Sequence, residues 1–227
     1  MTAGDVKLTD RQKKIAAERL YEAYLKTVDG RLVVVSGATR SGKTAYVRGQ
    51  VRKDRRVIAW DPEDQWSRLP GWKRVTSRKE LLALAQRPGP VRAGFVVGGK
   101  LQDEFDFWAA CMMYAGRYVA PIVAIAEELA DVTTPSKAPG AWGILLRRGL
   151  KRGITIYAIS QRWSEADKTA VGNASEFVLF RQSSGDDVRY LSRKTRVPES
   201  ELAGLMQLQY VRLSAIDGAI SRGKLTF

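Results

Sequence analysis

The chain has 227 residues, 44% of them hydrophobic and 27% charged, so it can bury a sizeable core as one globular α/β domain with modest additions. It contains a single cysteine, Cys111, which excludes an internal disulfide. It contains no histidine, which excludes catalysis by Ser-His or Cys-His pairs and argues against a zinc site. Lys and Arg outnumber Asp and Glu by 38 to 24, and the net charge of +14 favours a polyanionic partner such as nucleic acid. A solvated basic surface, or contact with anionic lipid, would show the same excess.

The first 30 residues are predicted to form an N-terminal helical extension, ahead of a domain that spans 31–227. A helix over 8–29 is favoured because Thr9 or Asp10 can cap it and a partial apolar stripe follows. The N-terminus lacks the apolar core of a signal peptide, and the longest apolar run is too short to cross a bilayer. We therefore expect an intracellular protein with no transmembrane segment of its own.

A strand, a glycine-rich loop and a helix follow one another from residue 31. Leu32–Ser36 is an apolar, β-branched run of strand length, and the next residues match G-x-x-x-x-G-K-[ST] at every fixed position: Gly37, Ala38, Thr39, Arg40, Ser41, Gly42, Lys43 and Thr44. Such a loop cradles phosphates at the positive end of a helix. Lys43 would reach the β- and γ-phosphates of ATP, and the Thr44 hydroxyl would ligate Mg²⁺. The alternative is a chance loop, but the motif stands in the context that a nucleotide site requires.

The rest of the chain alternates predicted helices and strands. The predicted helices cover 45–53, 79–87 (capped by Ser77), 105–117, 142–152 and 185–195, and the predicted strands cover 56–60, 93–97, 118–126, 154–160 and 176–181. Residues 209–214 and 219–226 are predicted to close the chain as a hairpin around Asp217-Gly218. This alternation predicts one doubly wound, mostly parallel sheet with helices on both faces. Cys111 falls on an apolar helix face, where a buried core thiol is favoured over a nucleophile.

Two acids, Glu127 and Glu128, end the predicted strand 118–126. In open α/β sheets the active site lies at the carboxyl ends of the strands, so the pair should sit beside the phosphate loop. One carboxylate can hold Mg²⁺ through water, and the other can orient and deprotonate the water that attacks the γ-phosphate. On their own the two acids could simply begin an exposed loop or helix.

Polar and basic residues flank the predicted strand 154–160. Gln161 follows it, where an amide can hydrogen-bond the attacking water or the γ-phosphate, or else merely cap the strand. The basic segment RRGLKRG at 147–153 precedes it. An arginine from this segment of a neighbouring subunit could neutralise charge at the γ-phosphate; the alternative is a solvated or DNA-facing basic helix.

Together, GATRSGKT, WDPED at 60–64, VAIAEELAD at 123–131 and LLRRGLKRGITIYAISQR at 145–162 resemble the FtsK–HerA superfamily of DNA-pumping ATPases. Within it, the small size is most similar to the genome-packaging ATPases of icosahedral viruses with an internal membrane, such as tectiviruses. The resemblance implies a RecA-like P-loop core, a hexameric or similar ring, and ATP-driven movement of double-stranded DNA through its centre into a preformed capsid. It also implies contact with capsid or portal vertex proteins, and a location in the host cytoplasm or at the packaging vertex.

The resemblance also implies roles for single residues. Lys43 and Thr44 bind phosphate and Mg²⁺, Glu127 is the acid of the Mg²⁺ site and Glu128 is the catalytic base. Gln161 is the sensor of the γ-phosphate, and Arg148 is the arginine that we expect to act as the finger.

Two positions depart from the family pattern. The acid of the Mg²⁺ site is usually Asp, whereas Glu127 is one methylene longer, and Leu150 stands where a second arginine is common. The finger therefore remains open among Arg147, Arg148 and Arg152.

The leading hypothesis is thus a DNA-packaging motor. The motifs also suit the assembly ATPases of filamentous phages and DNA-transfer or helicase-like ATPases, which usually carry a membrane anchor or extra domains. Two alternatives belong to other functional classes. One is a P-loop small-molecule kinase, which does not need a net charge of +14, and the other is a nucleotide-dependent switch that does not hydrolyse ATP.

Overall fold

We describe residues 29–119, 121–136, 138 and 140–226 of a computed structural model of the chain. The predicted helix over 8–29 lies outside these residues except for Asp29, and the division of the chain at residue 30 stays a prediction. No helix among the described residues is long and apolar enough to span a membrane.

A nine-stranded sheet forms the centre of the protein, in the order β3-β4-β2-β5-β6-β1-β7-β8-β9. Its strands are β1 (Leu32–Ser36), β2 (Arg56–Trp60), β3 (Lys73–Val75), β4 (Val91–Phe95), β5 (Ile122–Ala126), β6 (Ile154–Ser160), β7 (Glu176–Phe180), β8 (Gln209–Ser214) and β9 (Ile220–Lys224). The first seven strands pair in parallel, and β8 and β9 add an antiparallel hairpin at one edge. The predicted mostly parallel sheet with a C-terminal hairpin is confirmed.

Seven α-helices connect the strands of the described chain: α1 (Lys43–Gln50), α2 (Arg78–Gln86), α3 (Leu101–Val119), α4 (Gly140–Arg148), α5 (Lys168–Gly172), α6 (Gly185–Thr195) and α7 (Glu199–Gly204). Short 3₁₀ turns follow α1 and α4 and also cover Leu129–Asp131. Ser77 caps α2 as predicted, its hydroxyl accepting a hydrogen bond from the Glu80 amide. Helix α6 has the predicted bounds, with Asp186 and Asp187 in its first turn.

The parallel strands are buried on both faces because their side chains alternate between two cores. Leu32 and Val34 of β1 face a large core that α2 to α7 cover, whereas Val33 and Val35 face a smaller core that includes residues of α1. This double burial explains why apolar, β-branched runs predicted β1, β2 and β6 with their observed bounds.

Most predicted helices differ from the structure by a few residues at their ends, and three predicted β elements need a specific correction. The strand predicted over 118–126 begins only at Ile122, because α3 continues to Val119 and Pro121, which lacks a backbone N–H, precedes the strand. The strand predicted over 93–97 is Val91–Phe95. The hairpin around Asp217-Gly218 has a longer loop than a two-residue turn, since the Ser214 amide bonds to the Ala219 carbonyl.

The topology brings the ends of four strands together. β1 lies between β6 and β7, and β5 lies on the far side of β6. Because these strands are parallel, the loops that follow Ser36, Ala126, Ser160 and Phe180 leave the same edge of the sheet. The candidate site is built from these loops.

Candidate nucleotide site

The glycine-rich loop joins β1 to α1 and is held from both sides. The Ala38 amide donates to the Arg181 carbonyl oxygen at 2.7 Å, and the Ser41 amide donates to the Ala38 carbonyl oxygen at 3.1 Å. Gly42 has a φ of 117°, and a Cβ there would lie 2.9 Å from Cδ1 of Leu225. A side chain at Gly42 would therefore be both strained and obstructed.

Lys43 points back into this loop. Its ammonium nitrogen donates to the carbonyl oxygens of Gly37 at 2.6 Å and Ala38 at 3.0 Å, and the residue is only 7% exposed. Burial lowers the pKa of Lys43, while the charges of Glu128 and Glu127 oppose that shift. Loop carbonyls thus hold a buried cation at the centre of the cradle, where phosphate oxygens would offer it stronger, charged acceptors.

Glu127 connects the phosphate loop to the segment after β2. Its Oε1 accepts a hydrogen bond from the Trp66 indole nitrogen at 2.8 Å and lies 3.4 Å from the Thr44 hydroxyl. Burial raises the pKa of Glu127 to about 7, and the Trp66 hydrogen bond and the Lys43 charge partly oppose this rise. The carboxylate that faces Thr44 is therefore poised to lose its proton near neutral pH.

The donors at this point fit Mg²⁺ delivered with a nucleotide. Thr44 and Glu127 present a hydroxyl and a carboxylate oxygen side by side, and oxygen ligands are what Mg²⁺ prefers. Among the described residues no group of three or more Cys, Asp or Glu side chains is arranged to hold a metal ion by itself. Such a site needs phosphate oxygens and water to complete the coordination of the ion.

Glu128 and Gln161 form a second linkage, from β5 across β6 to the phosphate loop. Glu128 accepts hydrogen bonds from the Gln161 backbone amide at 3.1 Å and from its side-chain amide at 2.9 Å. The Gln161 Oε1 in turn accepts from the Thr39 hydroxyl at 2.5 Å. The backbone φ of Glu128 is 46°, a left-handed conformation that costs energy for a non-glycine residue. Three segments of the chain thus fix the position of this carboxylate.

These residues surround one open cavity of about 550 Å³, lined by the phosphate loop together with Glu127, Glu128, Gln161 and Leu208. A second cavity of about 430 Å³ shares Glu127, Glu128 and Gln161 with the first. It is rich in acids, including Asp61, Glu63, Asp131 and Glu165. The structure therefore brings together every predicted site residue except Arg148 and its two alternatives, Arg147 and Arg152.

Arg147 and Arg148 lie at the amino ends of the parallel strands, opposite the site. They end α4, and with Arg152 they precede β6, whose carboxyl end carries Gln161. Arg147 and Arg148 are exposed and Arg152 is half-buried. Because they are at the amino end of β6, none of the three arginines reaches the cavity of its own chain.

Sequence reasoning did not identify the Asp61–Trp66 segment as part of the site. The buried Asp61 carboxylate accepts hydrogen bonds from the backbone amides of Gln65, Trp66 and Ser67, and this fold of the loop places Trp66 against Glu127. One feature of the sequence could have indicated this: Asp61 directly follows β2, and β2 lies next to β5 in the sheet.

Leu208 was also missed. Its backbone amide donates to the Ser41 carbonyl oxygen at 3.2 Å, its carbonyl accepts from the Leu225 amide at 3.0 Å, and its φ is 67°. The C-terminal hairpin is thereby fastened to the phosphate loop. No local pattern in the sequence indicates this contact, because Leu208 is far along the chain from Ser41.

Comparison with known proteins gives one close sequence relative and several structural neighbours, while no protein-family model matches the chain. Protein P9 of Pseudoalteromonas phage PM2 is 39% identical over 141 residues, which span 61% of this chain and 62% of Protein P9. The genome packaging NTPase B204 of Sulfolobus turreted icosahedral virus 2 superposes with a TM-score of 0.74 at 15% identity, over 88% of this chain and 99% of B204.

The bacterial conjugative coupling protein TrwB, without its first 70 residues, superposes with a TM-score of 0.65 at 12% identity, over 88% of this chain and 86% of that chain. These likenesses confirm the predicted RecA-like P-loop NTPase fold. The chain is a sequence homologue of Protein P9 of phage PM2 that has the fold of the viral packaging NTPase B204 and of TrwB.

Proposed function

We propose that this chain is an ATPase that drives double-stranded DNA into a preformed viral capsid. The observation that carries the proposal is the convergence of Lys43, Thr44, Glu127, Glu128 and Gln161 on one cavity at the carboxyl edge of the sheet. A phosphate cradle, an oxygen pair suited to Mg²⁺ and a second, positioned carboxylate are the parts that nucleotide hydrolysis requires. B204, which shares the fold, has been solved with AMPPCP and with ATPγS.

In this proposal the phosphate loop, Gly37 to Thr44, binds the β- and γ-phosphates. Lys43 would exchange its two carbonyl partners for phosphate oxygens. Thr44 and Glu127 would hold Mg²⁺, which would neutralise charge on the phosphates. Glu127 would hold the ion in its ionised form, so it would release its proton on binding.

Glu128 orients the attacking water and accepts its proton. Its two oxygens are already held by Gln161, and its φ of 46° keeps the carboxylate at the edge of the cavity. Gln161 also contacts Thr39 of the phosphate loop, so it can respond to the γ-phosphate and to the base together.

The arginine finger acts between subunits. Arg148, exposed at the amino edge of the sheet, cannot serve its own cavity but can serve that of a neighbour in a hexameric or similar ring. In such a ring, the acidic cavity beside Glu128 would receive an arginine from the next subunit.

Double-stranded DNA is the proposed substrate of translocation because the net charge of +14 suits a polyphosphate and because B204 is a DNA-packaging ATPase. We place the protein in the host cytoplasm and at the packaging vertex, in contact with capsid or portal proteins. Since the match spans only part of Protein P9, the activity of that whole protein comes to this chain as a proposal.

Displacement of a third strand from a triplex on linear duplex DNA tests translocation directly. The wild-type protein with ATP and Mg²⁺ should displace the strand, and Lys43→Ala should not. Turnover of ATP without displacement would contradict a motor, and phosphate transfer to a small-molecule acceptor would establish a kinase instead.

A further inference from the structure

A basic cavity of about 540 Å³ lies outside the nucleotide site, between α5 and α6. Four cations, Lys168, Arg189, Arg193 and Lys194, line it, together with one carboxylate, Asp186. Arg189 and Arg193 are one helical turn apart on α6, so both reach the same side of the cavity. The cavity is therefore strongly positive.

Most of this charge is not engaged in internal ion pairs. Arg189 pairs with Asp186 at 2.5 Å, whereas Lys168 and Arg193 are exposed and have no acidic partner among the described residues. Lys194 lies 5.9 Å above the ring of Tyr190. Helix dipole effects favour Arg193 and Lys194 in the last turn of α6, but they disfavour Lys168 in the first turn of α5. Stabilisation of the two helices therefore accounts for Arg193 and Lys194 but not for Lys168.

Tyr190 supplies a second, independent observation. The residue lines the cavity and is 8% exposed, and its hydroxyl oxygen is buried without a hydrogen-bond partner in the described part of the chain. Buried hydroxyl groups nearly always find a partner, so a missing one points to an acceptor from outside the chain. A water molecule or a ligand oxygen would supply that acceptor.

The cavity adjoins the nucleotide site through the segment after β6. Arg162, which follows Gln161, lies 3.8 Å from Asp187 at its guanidinium Nε, and the Ser164 amide donates to the same carboxylate at 2.9 Å. Ser164 also lines the basic cavity. One short segment thus joins the residue that contacts Glu128 to the base of α6.

Two cations at the amino ends of the strands, by contrast, form hydrogen bonds within the chain. Arg92 donates to the carbonyl oxygens of Val51, Arg52 and Asp54, and Arg56 donates to that of Ala85. These two arginines tie loops together, so they contribute little free charge at the amino ends of the strands.

We propose that the α5–α6 cavity binds the phosphate backbone of double-stranded DNA, with Lys168, Arg189, Arg193 and Lys194 as the contacting cations. This inference rests on the proposed function, and it names the surface with which the motor holds its substrate. Phosphate contacts carry no sequence information, so binding here is independent of base composition.

Binding of a short fluorescent DNA duplex, measured by anisotropy over a salt series with a non-hydrolysable ATP analogue, tests the proposal. The test variant combines Lys168→Gln with Arg193→Gln. The matched control combines Lys79→Gln in α2 with Arg87→Gln at the C-cap of that helix, two exposed cations with the same charge change. Thermal unfolding of each variant checks that it is folded. An AT-rich and a GC-rich duplex are compared.

The test variant should reduce the slope of log K against log salt by about 2 and weaken binding by roughly 60-fold at about 0.1 M salt, since each lost phosphate contact accounts for about 0.9 of the slope. The control should bind like the wild type, and both duplexes should respond alike. Equal losses in the two variants would overturn the α5–α6 assignment while leaving DNA binding intact. A wild-type protein that does not bind the duplex would overturn the proposed function as well.

Discussion

The Trp66 indole nitrogen donates a 2.8 Å hydrogen bond to the carboxylate of Glu127, although 61 residues separate them along the chain. The contact exists because Asp61 folds the loop after β2 and because β2 pairs with β5, which ends beside Glu127. A hydrogen bond to the charged form of a carboxylate favours that form, so Trp66 opposes the effect of burial on Glu127. It prepares this acid for a cation.

Substituting Trp66→Phe should therefore weaken the apparent affinity for Mg²⁺ in ATP hydrolysis. Loss of a hydrogen bond to a charged group costs about 1.5–3 kcal/mol, so the pKa of Glu127 should rise by about 1 to 2 units and more Mg²⁺ should be needed. The defect should be larger at neutral than at alkaline pH, where Glu127 is ionised in any case. Trp72→Phe is the control, because Trp72 packs 5.1 Å from Trp66 without contacting Glu127. Equal effects from the two variants would reduce the role of Trp66 to packing.

The stability of the nucleotide-free protein should depend on pH through Glu127. Its folded pKa of about 7 lies above the ordinary value of 4.5, so its contribution to stability is complete below about pH 4.5 and is lost as the pH rises through 7. Glu127→Gln keeps a neutral side chain at this position. The variant should match the wild type at acidic pH and exceed it by about 3 kcal/mol above pH 7, since one pKa unit corresponds to about 1.4 kcal/mol.

Chemical denaturation across this pH range measures the difference. Glu63→Gln, which alters an exposed acid of the same cavity rim, should show no such trend. A constant difference between Glu127→Gln and the wild type at all pH values would refute the raised pKa.

Gln161 should act on hydrolysis as part of a unit with Thr39 and Glu128. Gln161→Ala removes the side-chain bond to Glu128 and should lower kcat by about 10²-fold, the lower end of what a positioned general base contributes. Thr39→Val should cost less, and the double variant should be no slower than Gln161→Ala, because Thr39 acts through Gln161. Independent, additive losses in steady-state assays would show that the two residues act separately.

Arg148 should be required by the neighbouring subunit. Arg148→Ala and Lys43→Ala proteins should each be inactive, but their mixture should recover ATP hydrolysis, because an intact phosphate loop then meets an intact finger from the next subunit. The same mixing with Arg147→Ala and with Arg152→Ala identifies which arginine serves. No recovery with any of the three would contradict a finger from this segment.

The sequence predicted those parts of the protein that depend on local signals. β1 and β6 are buried on both faces, so their apolar runs match their bounds, and the phosphate loop has a fixed spacing between Gly37 and Lys43. The sequence also predicted the positions of Glu127, Glu128 and Gln161. Each of them follows a parallel strand, and the carboxyl ends of parallel strands lie side by side.

Contacts that depend on tertiary folding could not be predicted. Trp66 lies in an irregular segment without periodicity, and its direction is set by the buried Asp61 carboxylate. The contact of Leu208 with Ser41 requires the whole hairpin to be docked. The apolar run 118–126 misled the strand prediction because helix α3 and strand β5 are both buried and follow each other with little polar interruption.

Steady-state ATP hydrolysis with and without double-stranded DNA, over a salt series, tests the central claim most directly. The wild type should hydrolyse ATP, DNA should stimulate this activity, and the stimulation should fade as salt rises because it depends on phosphate contacts. Lys43→Ala should abolish turnover, and Glu128→Gln should bind ATP but hydrolyse it at least about 10²-fold more slowly. Turnover that ignores DNA at every salt concentration, or that survives in Lys43→Ala, would contradict a DNA-pumping ATPase built on this site.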